Sequence, residues 1–477
     1  MASKNLRRTY VVGPSGPQAL VVESADTHPV ALERLTLSEA ASAIQTGRIT
    51  SEQLVQACLG RISERDSAVG AWANLNPHDA LALAREKDQQ SVQGSLHGVP
   101  IGIKDVIDTA GMPTRFGSPI FDHHIPTLDA TCVKKLRQAG AIIIGKTVTT
   151  EFATYHPGAT ANPLNLKHTP GGSSSGSAAG VADFQVPAAL GTQTAGSVVR
   201  PASFCGVVGF KPSRDRYCTK GVLDTSPHLD TLGVFVRAVD DAILLDTVLS
   251  EHEGASTDNE VEIKSATLPI VGICQSPQWL EATPEMRDCL NAATTCLQAE
   301  GVQIKFIKLP ALYDQLCGAQ ELIHAREAAD CLGSIVDDNI AQVSEALITF
   351  VTLGRSFSET QYQQALELQK QCCGHFDDAI NGCDVVLTPS APGTAPSGLA
   401  ATGSPVFCRI WTALGVPCIS IPVAAGAGGL PLGLQLVGRF NQDKQLLRMA
   451  RQIVPLISAW DVMQNSVDVG PGTGASR

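Results

Sequence analysis

Between Gly171 and Pro212 the chain reads GGSSSGSAAGVADFQVPAALGTQTAGSVVRPASFCGVVGFKP, a run dense in Gly, Ser, Thr and Ala. It holds too many helix breakers for one long helix and too few charges for a solvated linker. Small side chains let backbone approach backbone or a ligand closely. Serines beside glycines place hydroxyls next to exposed N–H groups, the raw material of a nucleophile and an oxyanion hole. A flexible linker is disfavoured because Val181, Phe184, Val186, Leu190, Val198, Val199, Phe204 and Val207 run through the segment. A phosphate loop is disfavoured because the G-x-x-x-x-G-K-[ST] pattern is absent.

Working outward, the 477 residues have 44% hydrophobic and 17% charged content, enough apolar material for a large globular core. A net charge of −11 argues against a nucleic-acid or anionic-membrane partner. The 14 cysteines are scattered without a C-x-x-C, so neither a zinc ribbon nor a thioredoxin-type motif is supported. Reduced thiols in a cytoplasm are expected, buried as small hydrophobes. The N-terminus is interrupted by Gly13, Pro14, Gly16 and Pro17, so residues 1–30 read as a flexible tail and not a signal peptide. No apolar run is long enough for a membrane span.

Along the chain, Leu35 to Thr46 predicts a short helix with Ser38 as its N-cap, and a second helix starts near Thr50 or Ser51. Together, residues 31–70 are expected to pack on the core as a helical arm. Trp72–Asn76 reads as a strand and Pro77–Lys87 as a helix. Gly98–Asp105 reads as a buried strand ending in a lysine, whose pKa falls on desolvation. A helix over Thr131–Gln138 followed by Ala141–Lys146 fits an α/β crossover. Residues 251–265 predict an acidic surface loop. Residues 311–367 predict a helical cap shaping the substrate channel. Within it, His324 and Glu327 lie one turn apart, and a solvated or pocket-lining pair is favoured over a metal pair because no third ligand is nominated. Late strands over Ile419–Val423 and Gly433–Gly438 precede a final helix, Lys444–Val454, and residues 461–477 read as a second flexible tail. Apolar surface on the late strands suggests a homodimer.

Gly171–Ser177 followed by Gly191–Ser197, with Gly98–Asp105 upstream and Gly206–Pro212 downstream, resembles the amidase signature family of serine hydrolases. The resemblance runs from about residue 30 to about residue 450. It implies an α/β fold in which residues 71–460 form a single large domain. A central mixed, twisted sheet would be covered by helices on both faces and flanked by the helical arm. It implies a Ser–cis-Ser–Lys triad. Lys104 falls on the lysine, Ser173 on the bridging cis-serine and Ser197 on the nucleophile. A lysine neutralised by burial is a competent base, and Ser173 would relay the proton from Ser197. The oxyanion would be held by N–H groups of Thr194, Ala195, Gly196 and Ser197. That chemistry requires neither a metal nor an organic cofactor. Ser174, Ser175 and Ser177 compete chemically with Ser173, but they read as backbone-bonding loop serines. Against the family's commonest form, G-T-D-T-G-G-S-I-R, Gln193 replaces Asp, Ala195 replaces Gly, and Val199 stands at the usual Arg, with Arg200 next to it. These departures set the chain apart from the glutamine-handling subunit of tRNA amidotransferases.

The leading expectation is an amidohydrolase that cleaves the C–N bond of a small-molecule amide. A carbamate or urea-derivative hydrolase is a near neighbour by the same acyl chemistry. A glutamine-hydrolysing subunit that needs a partner chain is the alternative. A catalytically silent interaction protein is disfavoured because all three triad positions are filled.

Overall fold

In the computed structural model the described residues are 31–250 and 268–460, together with the backbone of two short strands, β1 (Arg8–Gly13) and β2 (Gly16–Val21). These two pair antiparallel within the stretch that the sequence predicts to be a tail. The acidic loop 251–265 and the tail 461–477 lie outside the described residues.

Two capping boxes build the arm. Thr36 and Glu39 bond reciprocally at the start of α1 (Leu37–Gln45), and Thr50 and Gln53 do the same for α2 (Ser51–Val69). The cap of α1 is therefore Thr36, not Ser38, because only Thr36 has its glutamate three residues on. Leu37, Ile44, Leu54, Cys58 and Ile62 from this arm are buried in the main hydrophobic core. The edge strand β3 (Trp72–Leu75) leads into α3 (Pro77–Asp88), with proline at its first position. Next, α4 (Thr131–Gln138) joins β4 (Pro100–Lys104) to β5 (Ile142–Thr147), and the two strands pair in parallel with every residue buried.

Breakers divide the Gly-rich run into four short elements: α5 (Ser175–Ala182), β6 (Ala188–Gln193), α6 (Val199–Cys205) and β7 (Val208–Lys211). The chain continues through β8 (Thr231–Val236), α7 (Val239–Leu249), β9 (Val271–Cys274), α8 (Pro284–Ala299) and β10 (Ile304–Ile307). The helical region expected over 311–367 consists of α9 (Leu316–Asp338), α10 (Glu345–Ser356) and α11 (Glu359–Ala379), and it extends to Ala379. It is inserted between β10 and β11 (Val385–Pro389). The remaining elements are α12 (Val406–Ala413), β12 (Cys418–Ala425), β13 (Pro431–Val437) and α13 (Asp443–Ile457). Nothing in the sequence signalled α12. It is short and buried on nearly every residue, and its one polar stripe, Arg409 and Thr412, is itself turned inward to Gln320 and the Ala195 carbonyl.

Eleven strands form one mixed sheet in the order β10-β9-β11-β13-β12-β7-β8-β6-β4-β5-β3. The parallel group β10-β9-β11 lies towards one edge and the parallel group β6-β4-β5 towards the other. Antiparallel pairings through β13, β12, β7 and β8 connect them. This places β12 and β13 in the middle of the sheet and buries almost all of both. Their apolar residues are core, so they supply no exposed face for a dimer. Among the described residues no helix is long and apolar enough to cross a membrane.

Candidate active site

Strands β4 and β6 pair in parallel, so Lys104 at the end of one and Thr192 near the end of the other emerge on the same edge of the sheet. Ligand crevices in open α/β sheets form at such carboxyl ends. Lys104 is fully buried, and its Nζ lies 2.7 Å from Ser173 Oγ and 2.7 Å from Thr192 Oγ1. Burial strips the ammonium of water and lowers its pKa to about 7, opposed by the charge of Asp230. Ser173 follows Gly172 through a cis peptide bond.

The turn Thr194–Ser197 is held through its carbonyls and the Thr194 hydroxyl. The carbonyl of Thr194 accepts from Gln320 Nε2 at 2.9 Å, that of Ala195 from the Thr412 hydroxyl at 2.8 Å, and that of Gly196 from the Arg200 N–H at 3.0 Å. None of the four N–H groups from Thr194 to Ser197 donates a hydrogen bond among the described residues. Gln193 Oε1 instead accepts from the N–H groups of Val198 and Val199, at 2.8 and 3.0 Å, and so caps α6 from the preceding strand. A Cβ on Gly196 would lie 2.9 Å from Pro405 Cβ and 3.0 Å from Cys408 Cβ, so only glycine lets the turn seat against α12. Ser197 is 8% exposed, and its hydroxyl makes no hydrogen bond among the described residues. The structure thus forms the Lys104–Ser173 contact but not a Ser173–Ser197 one.

The neighbouring serines are engaged elsewhere. Ser174, Ser175 and Ser177 hydroxyls donate to the carbonyls of Thr192, Val148 and Leu190. Arg200 is buried and donates to the carbonyls of Gly172 and Gly403, tying the helix after Ser197 to the loop of Ser173. Asp230 accepts from Thr194 Oγ1 and from the N–H groups of Thr225 and Ser226, which keeps the turn's first side chain in place. Glu327 accepts from Ser226, His228 and the Tyr362 hydroxyl, so it staples the cap to that same loop. No group of three metal-ligating side chains exists among the described residues.

Several members of this constellation escaped the sequence reading: Thr192 as the second partner of Lys104, and Asp230, Gln320 and Thr412 around the turn. Thr192 is set beside the lysine by the parallel pairing of β4 with β6, which no local pattern announces. Gln320 and Thr412 act over separations of more than a hundred residues, and no local pattern marks them.

Set against known proteins, the sequence pattern of the family described as Amidase matches residues 53–447, which include Lys104, Ser173 and Ser197. The chain belongs to the amidase family. Among its amidase-family relatives, a glutamyl-tRNA(Gln) amidotransferase subunit from Oleidesulfovibrio alaskensis is 32% identical, over 90% of this chain and 98% of that protein. A crystal structure of an amidase superposes with a TM-score of 0.81 at 28% identity, covering 89% of this chain and 100% of that one. The peptide amidase of Stenotrophomonas maltophilia superposes with a TM-score of 0.77 at 26% identity, covering 88% and 96%. These likenesses establish an amidase-family α/β enzyme with one large mixed sheet.

Proposed function

We propose that this chain hydrolyses the C–N bond of a carboxamide through an acyl-enzyme on Ser197, with Lys104 as base and Ser173 as proton relay. The observation that carries the reading is the fully buried Lys104 amine, its pKa brought to about 7, 2.7 Å from Ser173 Oγ. Ser197 Oγ attacks the carbonyl carbon while its proton passes to Ser173 and the Ser173 proton to the Lys104 Nζ lone pair. The C=O electron pair moves onto oxygen, where the free N–H groups of the Thr194–Ser197 turn are available as donors. Collapse expels the nitrogen, which takes the proton back through Ser173 and leaves as ammonia or an amine. Water then repeats the sequence on the ester and frees the acid. In this reading the Ser173–Ser197 hydrogen bond forms with substrate bound, since catalytic contacts commonly tighten in the complex. A carbamate or urea derivative would follow the same steps.

A second reading is that the amide is glutamine and that the chain works as one subunit of an amidotransferase. The curated relatives favour it directly, because they are named as amidotransferase subunits and match at about a third identity over nearly their whole length. Fluorophosphonate labelling with peptide mapping tests the common core: modification at Ser197, lost in Ser197→Ala and Lys104→Ala, is expected. An unlabelled but folded enzyme that still turns over amides would overturn it. Ammonia release from glutamine, with and without proteins co-purifying from the source cells, decides between the readings.

A further inference from the structure

His324 lies on the cap helix α9, one turn beyond Gln320, whose amide donates to the Thr194 carbonyl of the Ser197 turn. It is only 4% exposed, yet neither ring nitrogen has a hydrogen-bond partner. Leaving a buried polar group unmet is costly, and natural structures seldom do so without a reason. Burial, reinforced by the charge of Arg409, pushes its pKa down to about 3, so the ring is neutral. A neutral imidazole carries one donor and one acceptor.

Around it stand two aromatic rings. Phe350 of α10 meets His324 edge to face at 4.8 Å between centroids, and Tyr155 meets Phe350 at 4.9 Å and His324 at 6.4 Å. Tyr155 reaches the other side of the site. It follows Thr154, whose carbonyl accepts from the Thr150 hydroxyl, and the Thr150 N–H donates to the carbonyl of Ser173. The three rings therefore span from the Ser173 loop to the Ser197 turn. The arginines whose charges reach this wall are already engaged, Arg200 on the carbonyls of Gly172 and Gly403 and Arg409 on Gln320 and Glu321. The wall itself is aromatic and uncharged, with one unmet donor and one unmet acceptor on His324.

We propose that Tyr155, His324 and Phe350 receive the acyl group, and that the substrate is an arylalkyl carboxamide whose ring bears one neutral hydrogen-bonding group that pairs with His324. This rests on the reading of amide hydrolysis at Ser197. An aromatic acyl group packs edge to face on Phe350 and Tyr155, and its polar substituent relieves the stranded imidazole. A glutamine zwitterion, with two charges and no ring, matches this wall poorly.

The test is calorimetric binding to the full-length Ser197→Ala protein of phenylacetamide, its three monohydroxy isomers and L-glutamine. At least one hydroxy isomer is expected to bind ten-fold or more tighter than phenylacetamide. His324→Phe in that background removes the advantage while leaving phenylacetamide within three-fold, and His324→Gln, which keeps a donor and an acceptor, retains most of it. Phe350→Ala weakens every aryl ligand. Equal affinities across the isomers, indifference to both His324 variants, or glutamine binding tighter than every aryl amide would overturn the proposal. Turnover by the unmutated enzyme separates the two layers. Histidine-dependent binding without hydrolysis removes the amidase reading alone, whereas hydrolysis that ignores His324 removes the substrate assignment alone.

Discussion

Gln193 and Thr412 are joined by a 2.9 Å hydrogen bond from Nε2 to Oγ1, so strand β6 and helix α12 grip the Ser197 turn from both sides. The same glutamine caps α6 and the same threonine holds the Ala195 carbonyl. Gln193→Ala strands two N–H groups in a buried site. It is expected to lower unfolding free energy by about 2–4 kcal/mol, read by guanidinium titration, and to depress kcat more than KM. Gln193→Asp, which keeps an acceptor but loses the donor to Thr412, is expected to be milder on both counts.

Lys104, Ser173 and Ser197 are expected to behave as one unit. Each single alanine change should lower kcat by about a thousand-fold or more, and the double changes should cost little beyond the worst single one. Steady-state kinetics on all six variants, with circular dichroism to confirm folding, checks this. Multiplying losses would mean that the three residues act separately.

The buried amine also sets a pH dependence. Because the base is the neutral form, kcat/KM should rise through one limb near pH 7 and level off above it. Stability runs the same way. Between about pH 7 and the unfolded lysine's ordinary 10.5, the unfolded chain holds a proton that the folded one does not, so stability climbs with pH. Below 7 both states are protonated and the full cost of a buried ammonium is felt. Lys146, lowered to about 8 by burial, adds a slope of the same sign. Lys104→Met should therefore stabilise the fold more at about pH 6 than at about pH 9, measured by denaturant midpoints.

Asp230 is the charge that opposes the depression of the Lys104 pKa. Removing it with Asp230→Asn should move the limb of kcat/KM to lower pH. It should also lower kcat, because Thr194 Oγ1 loses an ionised acceptor. A limb that stays in place would mean that the carboxylate acts through geometry alone.

Much of this architecture was legible because its signals are local. Gly171–Ser177 and Gly191–Ser197 marked the two serine loops, and the β-branched run at Ile142–Ile144 marked a buried parallel strand. The cap of α1 is legible as well, because Thr36 has a glutamate three residues on where Ser38 has an alanine. The late strands were mistaken for exposed ones because an apolar run looks the same on an open face as in the middle of a sheet. Likewise, the position of His324 beside Glu327 in sequence suggested a shared role. In the fold Glu327 turns to Ser226 and Tyr362, and His324 turns to Phe350. Spacing along a helix gives proximity but not direction.

The insertion of the cap between β10 and β11 has an evolutionary corollary. Lys104, Ser173 and Ser197 come from the β6-β4-β5 end of the sheet, while α9 and α10 follow β10 at its far edge, and α9 meets the Ser197 turn through Gln320 and the Ser226 loop through Glu327. The residues proposed for the chemistry and two of the three proposed to receive the acyl group, His324 and Phe350, are thus carried by different segments of the chain. On the proposed reading, drift or recombination within residues 316–379 would replace His324 and Phe350 while leaving Tyr155 and the Lys104–Ser173 contact in place, provided the Gln320 and Glu327 contacts to the loops around Ser197 survive.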